Sequence, residues 1–322
     1  KFYAAYPMTP ASSLLHWLVN HGQKAGVVVK QAEDELAVVN MAIGAGLAGA
    51  RAMCGTSGGG FSLMTEAIGM AGILETPVVI VNVQRGGPST GLPTKTEQAD
   101  LNQVFGASQG DFPRVIIAPA TAVDAYYTAV EAHNLAEEFQ LPVIIISDLL
   151  LGEHPETIEP DALQADVPIN RGKLLMEAPP GYKRFALTLD HISPRLLPGT
   201  PGAAFVATTD DHDEEGVVIS DVYTNPAVRR KMQEKRMGKL AAILPRLTPP
   251  RLEGPAEGAR EPLADLVVNA VALALDHAQG RRVGIEADPQ RLGGGPRPGR
   301  EERECCGTGE RGEASHGGVS TR

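Results

Sequence analysis

An α/β fold, a parallel sheet flanked by helices, is what this sequence predicts, and three observations predict it. Val78-Val79-Ile80-Val81-Asn82-Val83 and Leu141-Pro142-Val143-Ile144-Ile145-Ile146 are nearly continuous apolar runs, as strands covered on both faces of a parallel sheet require. Segments with helical patterning separate such runs, which is the spacing of right-handed strand–helix–strand crossovers. Glycines and prolines such as Gly26 and Pro77 punctuate the junctions.

Taken in order, residues 11–24 form a first helix. Ser12 and Ser13 are its cap candidates, and Leu14, Leu15, Trp17 and Leu18 fall at helical intervals. Gly26 ends it, and 27–31 reads as a short buried strand. Residues 33–51 are helical in composition but carry Gly44, Ala45, Gly46, Ala48, Gly49 and Ala50. Each interior glycine costs a helix roughly 1 kcal/mol relative to alanine, so either another helix or a flat ligand is expected to pack closely there. A strand from Ala52 enters the Gly-rich turn Gly55-Thr56-Ser57-Gly58-Gly59-Gly60, and a helix follows over 61–75. Thr76-Pro77 stops it before the strand 78–83. A strand over 114–118, a helix from Thr121 with Asp124 at the capping-box interval, and a strand over 141–148 complete the alternation. From Leu149 to about 245 the pattern loosens, except for a basic amphipathic helix over 225–244 with Pro226 in its first turn, whose charge is expected to face solvent.

The organisation expected is one domain over 1–245, a linker and incomplete second domain over 246–291, and a tail over 292–322 too rich in Gly, Arg and Glu to repay its ordering entropy. No internal repeat is visible. Lys1-Phe2-Tyr3 has neither a signal-peptide pattern nor a Met, so the start reads as trimmed.

Composition removes several function classes. The 322-residue chain is 43% hydrophobic and carries a formal net charge of −10. Nucleic acid and anionic membrane surfaces both call for basic patches, so neither is an expected partner. Cys54, Cys305 and Cys306 supply no CxxC pair, so no metal or iron–sulfur cluster is expected on this chain. That cysteine usage suits a reducing, cytoplasmic setting, and no apolar run reaches the ~20 residues of a membrane span.

The chemistry-bearing stretch is Tyr6-Pro7-Met8-Thr9-Pro10, a loop stiffened by prolines, read together with Glu35. Glu33 is the local rival of Glu35, with a helix N-terminal acid as its plainer role. The turn 55–60 has the order that cradles phosphates, yet it matches neither nucleotide fingerprint, which favours a steric turn beside a site. Ligands of open α/β sheets bind beyond the carboxyl ends of strands. Arg85, which follows strand 78–83 and opens a Gly/Pro/Ser/Thr loop, is therefore a candidate clamp for a carboxylate or phosphate. Asp210-Asp211-His212-Asp213-Glu214-Glu215 holds metal-ligand types, but no second ligand cluster accompanies it, and a solvated acidic loop is expected.

The segments YPMTP, EDELAVVNMAIGAGLAGARAMCGTSGGGFSLMTEAIGMA, ETPVVIVNVQRGGPSTGLPTKTEQADL and HDEEG resemble the alpha subunit of 2-oxoacid:ferredoxin oxidoreductases, the 2-oxoglutarate type above all, over about Phe2 to Leu244. The resemblance implies the pyrimidine-binding domain of a thiamine diphosphate enzyme, acting on 2-oxoacid and CoA with ferredoxin as electron partner. It puts the diphosphate-binding domain, Mg²⁺ and an iron–sulfur cluster on a separate beta subunit. It assigns Glu35 to the aminopyrimidine ring and Thr9 to cofactor and substrate, with Tyr6 and Pro7 in the cofactor loop. Arg85 and Thr94 are assigned to substrate carboxylates, with Lys95 adding to the field. A proton shared between Glu35 and a ring nitrogen is what would activate the cofactor. Two departures stand beside it: the family's strand and helix ahead of YPMTP are absent, and 264–293 does not follow the family's second domain. A pyruvate or branched-chain 2-oxoacid enzyme is the alternative within the class; a non-catalytic interaction module is the alternative outside it.

Overall fold

The computed structural model describes residues 1–202, 204–219 and 225–247, together with a two-residue antiparallel pairing of Leu275–Asp276 with Arg281–Arg282. The expected second domain over 246–291 and tail over 292–322 lie, but for these few positions, outside the described residues.

Six parallel strands form the sheet: β1 (Phe2–Ala5), β2 (Val28–Gln31), β3 (Ala52–Thr56), β4 (Val78–Gln84), β5 (Val115–Ile117) and β6 (Pro142–Asp148). Their order is β2-β1-β3-β4-β6-β5, with every pairing parallel. The α/β class is therefore as the apolar runs predict. β1 corrects the sequence reading, since a strand does stand directly ahead of the YPMTP loop. Four residues offer too little periodicity to reveal it, and only pairing on both sides makes it a strand.

Side chains alternate across the sheet as the pleat dictates. Val78 and Ile80 of β4 join Ile144, Ile146 and Cys54 under α2 (Glu35–Leu47) and α3 (Gly58–Ile73). Val79, Val81 and Val83 join Val143 and Ile145 on the opposite face, beneath α5 (Ala122–Phe139) and α7 (Pro226–Ile243). All seven residues of β4 are buried, and each fully covered aliphatic side chain contributes about 1.5–3 kcal/mol. α1 (Ser12–His21) covers β1 and β3 with Leu15 and Leu18. Trp17 departs from its expected inward stripe: it is 57% exposed and stacks on His21. Ser12 and Ser13 open α1 instead of capping it, and Ser13 Oγ donates to the Pro10 carbonyl.

Two of the small residues in and just after α2 make room for close neighbours. A Cβ at Gly46 would collide with the Pro77 carbonyl, and one at Gly49, whose φ is +94°, would collide with Leu197. Short helices α4 (Leu101–Phe105) and α6 (Leu149–Glu153) follow β4 and β6.

Two buried ionic clusters hold the amino-terminal side of the sheet. Glu75, fully buried just before β4, pairs with both Lys235 and Lys239 of α7 (2.6 Å to Lys239), and Arg184 donates to its carbonyl. Lys235, Arg236 and Lys239 are thus turned inward, and the basic helix is not the solvated face its composition suggests. Glu137 of α5 receives Arg51, Arg171 and Arg195 at 2.9, 2.6 and 3.5 Å. The acidic stretch 210–215 is likewise engaged rather than solvated. Asp211 pairs with Arg229 and Arg236, and buried His212 hydrogen-bonds the Asp213 and Ile73 carbonyls against the Phe185 ring.

Candidate active site

The chain runs from β1 to β2 on one side and then to β3 on the other, so the sheet's topological switch point lies between β1 and β3. In open α/β sheets the crevice beyond the carboxyl ends at such a point is the ligand site. The YPMTP loop leaves β1 there, and the Gly-rich turn leaves β3 beside it. The start of α2 and the loop after β4 adjoin from β2 and β4.

Glu35 reaches this crevice because Asp34 caps α2, its carboxylate accepting the Ala37 amide at 2.8 Å. Glu35 becomes the first helical residue and is 3% exposed, whereas Glu33 falls outside the helix and is exposed. Its Oε1 is buried and has no hydrogen-bond partner. Burial raises the carboxyl above its ordinary range; the helix's own backbone amide opposes, Asp34 adds to the rise, and the Thr56 hydroxyl opposes it. Room for this carboxylate comes from Gly60: a Cβ there would collide with Thr56 Oγ1 and Glu35 Oε1. The three glycines expected to form a turn are in fact the first turn of α3, with Ser57 as the N-cap and its own buried hydroxyl unpartnered.

Contacts then run outward from Glu35. Thr56 Oγ1 lies 3.8 Å from Met8 Sδ, and Arg85 donates to the Thr9 carbonyl at 2.5 Å. Among the described residues Arg85 makes no ion pair with a carboxylate, which leaves its charge available at the crevice. Arg85 and Thr9 are thereby joined, and Met8, next to Thr9, reaches Thr56, which flanks Gly60 together with Glu35. Tyr6 and Pro7, at the start of the loop, are exposed. Thr94 and Lys95 are also exposed, on the loop after Arg85; that loop closes on itself through Gly86 N to Lys95 O at 3.1 Å and Leu92 N to Gly86 O at 2.8 Å.

Three participants were not singled out from sequence. Thr56 is embedded in an ordinary strand end, and Asn82 in an apolar run, where a lone buried amide is the one available signal. Asn82 Nδ2 donates to Asp100 Oδ2 at 3.1 Å, while its own Oδ1 is buried without a partner. Asp100 carries no local signature, because its significance comes from strands it does not belong to. No group of three or more His, Cys, Asp and Glu side chains placed to hold a metal occurs among the described residues.

A switch-point crevice that holds a buried carboxylate with one unpartnered oxygen, and an arginine without an ion pair among the described residues, is the candidate ligand site of this α/β domain. The chain belongs to the family described as pyruvate flavodoxin/ferredoxin oxidoreductase, thiamine diphosphate-binding, whose model matches residues 1–233. Among curated proteins it is 44% identical over 253 residues to the alpha subunit of 2-oxoacid:ferredoxin oxidoreductase 1 of Sulfurisphaera tokodaii, covering 74% of this chain and 39% of that one. It is 49% identical over 158 residues to the 2-oxoglutarate synthase subunit KorA of Archaeoglobus fulgidus, covering 49% and 46%. A solved 2-oxoglutarate:ferredoxin oxidoreductase from Magnetococcus marinus, with 2-oxoglutarate, coenzyme A and succinyl-CoA bound, superposes with a TM-score of 0.70 at 39% identity, over 80% of this chain and 44% of that one. The chain thus spans about two fifths of the length of the first of these relatives.

Proposed function

We propose that this chain forms the aminopyrimidine-side wall of a thiamine diphosphate site and works, with a beta subunit, as the alpha part of a 2-oxoacid:ferredoxin oxidoreductase that converts 2-oxoglutarate and CoA to succinyl-CoA. The observation that carries the reading is Glu35, a buried carboxylate whose Oε1 lacks a partner at the switch point and whose space depends on Gly60. A buried polar atom without a partner costs about 1–3 kcal/mol, which a ligand donor would relieve. The family match over 1–233 and the relatives' names support the same reading.

The residues fit the cofactor. When bound, thiamine diphosphate supplies the nucleophilic carbon and the electron sink for decarboxylation. Glu35, raised above the ordinary carboxylate range, can hold a proton on Oε1 and exchange it with a ring nitrogen placed against it. Thr9 presents its loop to cofactor and substrate, with Arg85 bracing its carbonyl. The remaining guanidinium donors of Arg85, with Thr94 and Lys95 on the same loop, would orient the two carboxylates of 2-oxoglutarate. Tyr6 and Pro7 complete the cofactor loop. Mg²⁺, the diphosphate contacts and the iron–sulfur cluster that passes electrons to ferredoxin are assigned to the beta subunit, and the complex to the cytoplasm.

Co-expression with a beta subunit and an assay of CoA-dependent viologen reduction test this. Glu35→Ala is expected to lower turnover by at least about 100-fold, and near-normal turnover would reject the assignment. A panel of 2-oxoacids decides the substrate: preference for pyruvate or branched-chain acids over 2-oxoglutarate would reject the dicarboxylate reading of Arg85 and Thr94.

A further inference from the structure

The loop from Gly86 to Ala99 presents Thr94 and Lys95 while lying mostly in solvent. A loop of that length positions functional groups only if its ends are pinned, since ordering it at the moment of binding would cost affinity. Its first part is closed by the Gly86 hydrogen bonds described above. Gly91, at φ +56°, permits this closure, because a Cβ there would collide with the Gly86 carbonyl.

The far end is pinned at Asp100 and Gln98. The Asp100 carboxylate accepts from Asn82 Nδ2 at 3.1 Å, and its backbone amide donates to Gln84 Oε1 at 2.9 Å; both partners belong to β4 and are buried. Gln98 Nε2 donates to Asp148 Oδ2, at the end of β6, at 2.5 Å. The same Asp100 carboxylate abuts the first residue of α3, since a Cβ at Gly58 would come within 2.6 Å of Asp100 Oδ2. Gln103 adds hydrogen bonds to the Gly58 carbonyl and Ser62 Oγ. Along one helical turn, then, Gly58 meets Asp100, a Cβ at Gly59 would lie 4.0 Å from the Ser89 carbonyl, and Gly60 meets Glu35.

We propose that Asp100 is a positioning residue, which clamps the substrate loop to β4 and to the Gly58-Gly59-Gly60 turn and so sets the spacing of that loop from Glu35. The purpose of the clamp rests on the function proposed above, whereas the clamp itself does not. Asp100 needs no contact with substrate to matter, because misplacing a loop by a fraction of an ångström weakens every contact it makes.

The test compares Asp100→Ala, Gly58→Ala and Asp100→Asn in the chain co-expressed with its beta subunit. Asparagine keeps both an oxygen for Asn82 and the backbone bond to Gln84. Amide hydrogen exchange over residues 86–98 is expected to rise about tenfold in Asp100→Ala and Gly58→Ala, to stay near wild type in Asp100→Asn, and to be unchanged in β3, β4 and β6. The KM for 2-oxoacid should rise about tenfold or more in the first two variants, with kcat and thiamine diphosphate affinity little changed. Unchanged exchange in the loop overturns the clamp, and so does an equal rise throughout the strands or an Asp100→Asn variant as loose as Asp100→Ala. Loosened exchange with an unchanged KM upholds the clamp and overturns the substrate role of the loop instead.

Discussion

At the scale of the residue, Glu35 is held in a state that costs stability. Its carboxyl titrates above its unfolded value because burial disfavours the charge. Over the window above the usual carboxylate pKa the folded chain therefore binds more protons than the unfolded one, and stability falls as pH rises through that window. Glu35→Gln removes this penalty. The cofactor-free variant is expected to melt at a higher temperature than wild type at pH 7 and at a similar one at pH 3, well below the unfolded value of 4.5, where the wild-type carboxyl is protonated in both states; calorimetry at the two pH values checks it. Stability gained by neutralising a site residue, with turnover lost, is the usual trade at active sites. The choice of Glu35 over Glu33 was reachable from sequence only through the family register. The structural cause is Asp34, whose capping bond starts the helix one residue later and turns Glu35 inward.

At the scale of the element, α7 shows how composition misleads about exposure. Arg229, Arg230 and Lys231 do face solvent, but Lys235 and Lys239 descend on Glu75. Burial alone would raise the Glu75 carboxyl, yet Lys239, Lys235 and Arg184 together hold it far below its ordinary range. Its unfolded pKa is near 4.5, so the stability it contributes is complete above that value and is lost as pH falls below it. Glu75→Gln leaves two buried ammonium groups uncompensated and is expected to destabilise the protein by about 3–5 kcal/mol, measured by denaturant titration at pH 7. The variant should also lose less stability than wild type on acidification from pH 5 to pH 3. Helix periodicity located α7 correctly, because its length and Pro226 are local features. Which of its faces is buried depends on Glu75, 160 residues away.

At the scale of the whole molecule, the two ends of the sheet divide the work. The Glu75 and Glu137 clusters secure the amino-terminal side, where each buried carboxylate faces lysine or arginine side chains. The carboxyl end keeps Glu35 Oε1, Ser57 Oγ and Asn82 Oδ1 buried and unpartnered. On the function proposed above, those atoms belong to one wall of a site divided between subunits, so thiamine diphosphate should bind weakly to this chain alone. Isothermal titration in the presence of the beta subunit is expected to give an affinity at least about 100-fold higher, the range that completing a divided site confers; equal affinity with and without the partner would mean that the chain holds the cofactor unaided.

Sequence by itself determined the class of fold, five of the six strands and the long helices, because apolar periodicity, caps and prolines act within a few residues of one another. Only the tertiary structure decided that β1 is a strand between β2 and β3, that the switch point falls where YPMTP and the Gly-rich turn leave the sheet, that Thr56 stands beside Glu35 and that Asn82 holds Asp100. Strand order and the burial of a polar atom depend on neighbours brought from distant parts of the chain, and no local pattern encodes them. The glycines 58–60 carry both kinds of information: their composition marked a steric turn, and the fold identified what stands against it, a carboxylate on either side.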